Sequence, residues 1–77
     1  MDIKAKVKEI IVKLIKVKPE ELKDGVSLQD SIGVDSTEMV ELVIALEKDF
    51  GTKLSAKEIT KFCNLEEIEK IIAAKIK

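Results

Sequence analysis

The sequence predicts an all-α fold, a small bundle of three longer helices and one short helix. Apolar residues recur three and four positions apart in three segments, and no run alternates with a period of two. Three capping pairs, in which a small polar residue is followed three positions later by Glu, mark helix starts. Since the chain has 77 residues, we expect one domain spanning residues 1–77.

The first predicted helix runs from about residue 3 to residue 15. Its apolar face comprises Ile3, Val7, Ile10, Ile11, Leu14 and Ile15. Pro19 blocks its continuation, and a long loop of roughly twenty residues extends from Lys16 to Asp35. Because this loop carries scattered apolar residues, we expect it to be ordered and to lie over the core. Lysines opposite the apolar face are diluted by Asp2 and Glu9, so we expect no stable membrane insertion.

The second longer helix has the clearest start. Asp35 is a suitable N-cap, Glu38 completes a capping box, and Gly51 marks the end. The predicted core face of this helix comprises Met39, Leu42, Val43, Leu46 and Phe50.

Two further capping boxes follow along the chain. Ser55 with Glu58 predicts a short helix extending through about Lys61. Asn64 with Glu67 predicts the last helix, whose apolar residues are Leu65, Ile68, Ile71, Ile72 and Ile76.

The composition argues against most enzyme classes. The chain has no His, so it contains neither a Ser-His-Asp nor a Cys-His constellation, and one Cys cannot form a zinc cluster. We expect no catalysis and no metal site, and we interpret Cys63 as an apolar filler. Two Phe residues and no other aromatic side chain leave little to stack on bases, so nucleic acid is not an expected partner.

Ser36 is the candidate functional residue. Because Asp35 is the better cap, Ser36 is free to face outward at the start of a helix. The unpaired N–H groups at a helix start favour a phosphodiester there. The negative charge of Asp35 opposes this effect. Val40 and Ile44 follow on the same side, flanked by Glu41 and Glu47. This stripe is either an apolar docking surface with acidic steering, or it completes the core against the loop.

Charge is compatible with the first of these alternatives, but taken alone it favours a solvated helix face. Residues 35–50 carry five carboxylates and one lysine, a net charge of −4, and belong to an acidic middle part of the chain that lies between the mildly basic residues 2–23 and 51–77. Such a block attracts a basic partner, but it is also typical of a solvated helix face.

The sequence resembles the acyl carrier protein family. The resemblance rests on Gly33-Val34-Asp35-Ser36 and on the following Glu38, Val40 to Val43, Ala45 to Glu47 and Phe50-Gly51. It implies that a transferase attaches 4′-phosphopantetheine from coenzyme A to Ser36, beside Asp35, and that the terminal thiol carries an acyl thioester. Two residues depart from the family pattern: Thr37 replaces the usual Leu, and Lys48 replaces a commonly acidic residue. These departures suggest a specialised carrier.

The resemblance also implies a set of partners. They are a phosphopantetheinyl transferase and acyl-transferring and synthase enzymes with basic docking patches, and we expect a cytoplasmic monomer. The implied contact residues are Asp35, Thr37, Glu38, Val40, Glu41, Ile44 and Glu47. The expected function is acyl transfer in fatty-acid, polyketide or related metabolism. An aminoacyl carrier, such as a D-alanyl carrier, and an unmodified helical adaptor are the alternatives.

Overall fold

The computed structural model describes residues 2–76 and confirms the all-α fold with three longer helices and one short helix. Among the described residues there is no strand. A single 3-10 turn at Pro19–Glu21 interrupts the loop after the first helix. The helices are α1 (Ile3–Ile15), α2 (Leu28–Ile32), α3 (Ser36–Phe50) and α4 (Leu65–Lys75).

Helix α1 packs against both α3 and α4, so the core lies between these three helices. The apolar face predicted for α1 is confirmed, since Val7, Ile10 and Ile11 are buried and the other members are partly buried. Asp2 caps α1 by accepting a hydrogen bond from the backbone N–H of Ala5. Within residues 2–76, no helix combines the length and the apolar character that crossing a bilayer demands.

The short helix lies elsewhere than the sequence predicts. Residues 55–61 form no helix, and turns cover residues 56–58 and 61. The Ser55 hydroxyl accepts from Lys57 N–H, two positions on, and not from Glu58 N–H as a helix cap would. Only the reverse half of the capping box forms, with Glu58 Oε2 accepting from Ser55 N–H at 3.2 Å. The short helix is instead α2, which Ser27 caps through Asp30 N–H.

The long loop between α1 and α3 lies over the core, as expected. Leu22, Leu28 and Val34 are all buried. The loop is also tied to α1 by charge, since Asp24 contacts Lys4 Nζ at 2.7 Å and Lys8 Nζ at 3.4 Å. The loop therefore has a fixed path to the start of α3.

Acid is expected to weaken the ion pairs of Asp24 with Lys4 and Lys8. The hydrogen bond from Lys4 and the positive charges of both lysines lower the pKa of Asp24 from its ordinary value of 3.8. A lowered folded-state pKa gives stability that is present above 3.8 and is lost as the pH falls through the folded-state value. We expect the wild-type chain to lose more stability than Asp24→Asn on acidification, measured by urea unfolding. Parallel losses would contradict a role for this ion pair.

Candidate functional site

The start of α3 is built by a tight connection from α2. Gly33 ends α2 in the left-handed conformation, with φ 67°, which glycine adopts at little cost. Val34 is buried and anchors the connection to the core. Asp35 then takes extended backbone as the N-cap of α3.

The predicted capping box at Asp35 is confirmed. Asp35 Oδ1 accepts from Glu38 N–H at 2.8 Å, and Glu38 Oε1 accepts from Asp35 N–H at 3.1 Å. The two carboxylates therefore satisfy two backbone donors of the first turn, as a reciprocal box does.

Because Asp35 and Glu38 form the cap, the Ser36 hydroxyl takes no part in capping α3. Ser36 is the first residue of α3 and is exposed. None of the hydrogen bonds among residues 2–76 uses its Oγ atom, and the N–H groups of Ser36 and Thr37 likewise find no acceptor there. An exposed hydroxyl beside two unpaired donors can take a phosphate ester whose oxygens meet those donors.

A cleft of about 260 Å³ opens beside Ser36. One wall is α3, and the other is the segment between α3 and α4. Apolar and hydroxyl side chains dominate, and Lys61 is the charged member. The lining residues are Ser36, Met39, Val40, Ala56, Thr60, Lys61 and Phe62. A larger groove of about 350 Å³, lined by residues of α1 and α3, contains none of the candidate residues.

The stripe along α3 is exposed, which rules out the alternative that it completes the core against the loop. Val40 is 47% exposed and Ile44 is 48% exposed, so neither completes the core. Glu41 beside them is exposed as well. The structure therefore presents an apolar stripe with an adjacent carboxylate on the surface.

The other carboxylates expected at this surface differ in their burial and in the hydrogen bonds that they accept. Glu47 is half-buried, and its Oε2 accepts from Leu54 N–H at 3.2 Å, a contact seven residues away that the helix pattern does not reveal. Asp35, Glu38, Glu41 and Glu47 form no ion pair within residues 2–76, whereas Asp49 contacts Lys6 Nζ at 3.6 Å. Acidic charge on α3 is thus only partly neutralised within the chain.

The sequence reasoning missed the second wall of the cleft. Lys61 and Phe62 lie there, and Phe62 is 67% exposed. The one available signal in the sequence was Phe62 itself. The chain has only two Phe residues, and Phe50 belongs to the apolar face of α3, whereas Phe62 fits no helical period.

Cys63 is half-buried near the second wall. Its Sγ atom donates to Glu58 C=O at 3.6 Å and lies 3.8 Å from Thr60 Oγ1. These contacts help to hold the turn. Within residues 2–76 no group of three or more His, Cys, Asp or Glu side chains is arranged to hold a metal ion.

A family model described as the phosphopantetheine attachment site matches residues 5–72, which is most of the chain. The chain belongs to this family. The phosphopantetheine-attachment family binds its 4′-phosphopantetheine covalently, and the resemblance to acyl carrier proteins is confirmed at this level. The exposed hydroxyl, the unpaired N–H groups and the cleft with its lysine fit a phosphorylated arm of that kind. Domains of this family generally act as carriers without catalytic activity, and they interact with transferases and synthases.

Proposed function

We propose that Ser36 is the attachment residue and that the chain carries acyl groups as thioesters between enzymes of fatty-acid, polyketide or related acyl metabolism. The observation that carries the proposal is that Asp35, and not Ser36, caps the start of α3. Asp35 provides the cap, so the exposed Ser36 hydroxyl is available to a transferase. The arm supplies the thiol, and the chain presents it to partners at a high effective concentration. The cytoplasmic location and monomeric state expected from the sequence belong to this proposal.

The cleft favours an acyl cargo over an aminoacyl cargo. Its lining is largely apolar, and the charged side chain in it is Lys61. If the arm folds back so that its cargo enters the cleft, the ammonium group of an aminoacyl thioester would meet a like charge there, whereas an aliphatic chain would meet Met39 and Val40. An unmodified adaptor would also use the exposed Val40 and Ile44, and the experiment below separates it from a carrier.

Intact mass tests the attachment directly. After incubation with coenzyme A and a broad-specificity phosphopantetheinyl transferase, the wild-type chain should gain the mass of one arm, and Ser36→Ala should gain none. Ser31→Ala is the matched control, because Ser31 Oγ is buried and its loss leaves Ser36 untouched. An unchanged wild-type mass would favour the adaptor, and a modified Ser36→Ala would place the arm elsewhere.

The exposed stripe of α3 is proposed as the partner surface, with all seven residues predicted from the sequence. Val40 and Ile44 supply apolar contact, and Asp35 and Glu41 supply exposed negative charge. Thr37 is exposed one position after the proposed attachment residue, while Glu38 contributes charge from within the cap. A partner with a basic rim around an apolar socket complements this surface.

Glu41 and Glu47 should respond differently to substitution. Glu41→Lys is expected to lower kcat/KM for arm transfer by about fivefold without loss of stability, because exposed charge pairs are worth about 0.5–1 kcal/mol. Glu47→Ala should lower the free energy of unfolding by about 1 kcal/mol, since Leu54 N–H loses its acceptor. Glu47→Gln keeps an acceptor and should preserve stability.

Transfer kinetics and urea unfolding measure these two effects separately. Glu20→Lys makes the same change of net charge in the exposed turn before α2 and serves as the control for Glu41→Lys. Equal losses of kcat/KM in the two lysine variants would show that only the total charge matters. Added salt should shrink the difference between wild type and Glu41→Lys, because it screens exposed charges.

A further inference from the structure

Phe62 is unusually exposed for a large aromatic side chain. It is 67% exposed, more than Val40, Ile44 or Ile76, the other large hydrophobic residues on the surface of the described chain. Exposing an aromatic ring forgoes a large hydrophobic gain, because burying such a side chain removes 150–250 Å² of area from water, as a rough figure. Phe62 belongs neither to the buried core nor to the partly buried residues packed against it.

The backbone at Phe62 is also held in a defined place. The first two N–H groups of α2 donate to the carbonyls on either side of it, from Leu28 to Cys63 at 3.0 Å and from Gln29 to Lys61 at 2.9 Å. Phe62 N–H donates to Thr60 Oγ1 at 3.3 Å. The start of α2 therefore fixes the backbone that presents Phe62, so little backbone entropy is lost when a partner contacts it.

Phe62 completes an apolar frame around the cleft. It shares the lining of the cleft with Val40, and Ile44 continues that wall one helical turn further on. Charge of opposite sign flanks this frame on its two sides. Glu41 is exposed next to Val40 on α3 but outside the cleft, whereas Lys61 lines the cleft and its Nζ lies 5.5 Å from the centre of the Phe62 ring.

We propose that Phe62 is a docking contact for the enzyme that modifies Ser36, which makes the partner surface two-sided. The proposal rests on the carrier function proposed above. The matching partner surface places an apolar side chain between Val40 and Phe62, a cation against Glu41 and an acidic group against Lys61. A carboxylate outside the α3 side of the cleft and a lysine on its other wall also fix the direction in which the partner docks, because a reversed partner would bring like charges together.

Direct binding to a phosphopantetheinyl transferase tests the proposal. Ser36→Ala is used as the parent, because it takes no arm and its Kd reports docking alone. Adding Phe62→Ala should raise the Kd about tenfold, and Phe62→Leu should raise it less than about threefold, as expected for an apolar anchor. Ile76→Ala, an exposed apolar truncation outside the cleft, should leave the Kd unchanged.

Two results would overturn the proposal. One is an unchanged Kd for Phe62→Ala, and the other is a Ser36→Ala parent that does not bind the transferase. If Phe62→Ala loses helix content by circular dichroism, Phe62→Gln replaces it, and the same rise in Kd is required. Arm attachment to the wild-type chain is read separately by mass, so a modified chain with an unchanged Kd contradicts the role of Phe62 and leaves the carrier function standing.

Discussion

Ile11→Ala is expected to lower the free energy of unfolding by about 2–5 kcal/mol, the usual cost of truncating a buried isoleucine. Ile11 is 0% exposed on α1, the helix that packs against both α3 and α4. A domain of this size has a total stability of about 4–12 kcal/mol, so the loss is a large fraction of it. Urea unfolding followed by circular dichroism measures the effect.

Ile44→Ala is the matched control for this prediction. The substitution is the same, but Ile44 is 48% exposed, so the loss of stability should stay below about 1 kcal/mol. The same variant should slow arm transfer, because Ile44 belongs to the proposed partner surface. Equal destabilisation by the two variants would contradict the assignment of one isoleucine to the core and the other to the surface.

Asp35→Ala is expected to cost about 1–2 kcal/mol of stability, because Glu38 N–H loses its acceptor and the start of α3 loses a negative charge. Asp35→Asn keeps a side-chain oxygen at the cap and should cost less than about 1 kcal/mol. Arm transfer should fall further in Asp35→Ala than in Asp35→Asn, since the frayed first turn no longer holds Ser36 in place.

Urea unfolding and the rate of mass gain measure the two effects of the Asp35 variants. A stability of Asp35→Ala equal to that of wild type would show that Asp35 is not the working cap. In that case Ser36 would itself be a candidate for the cap, and its hydroxyl would not be free for attachment of the arm.

Local signals predicted the longer helices well. The cap at Asp35, the apolar period and Gly51 fix both ends of α3, because each signal acts within a few residues of the end it sets. The same reasoning places Asn64 as the cap of α4. Helix α2 was not predicted from the sequence, because five residues are too few to show a helical period. Ser27 followed by Asp30 is nevertheless a capping signal.

The candidate site divides in the same way. The free hydroxyl of Ser36 follows from its neighbour Asp35 and was predictable from the sequence. The second wall of the cleft depends on contacts between distant segments, such as Gln29 N–H with Lys61 C=O and Glu47 with Leu54 N–H. No periodicity within a helix carries that information, so the exposure of Phe62 could be learned only from the fold.

Fragmentation mass spectrometry of the modified wild-type chain tests the central claim most directly, because it locates the arm without any substitution. The chain offers four serines and three threonines as hydroxyl acceptors. We predict a single phosphopantetheine, on the fragment that contains Ser36 and on that residue. An arm on Ser27, Ser55 or Thr37 would contradict the assignment of Ser36 as the residue that carries the cargo.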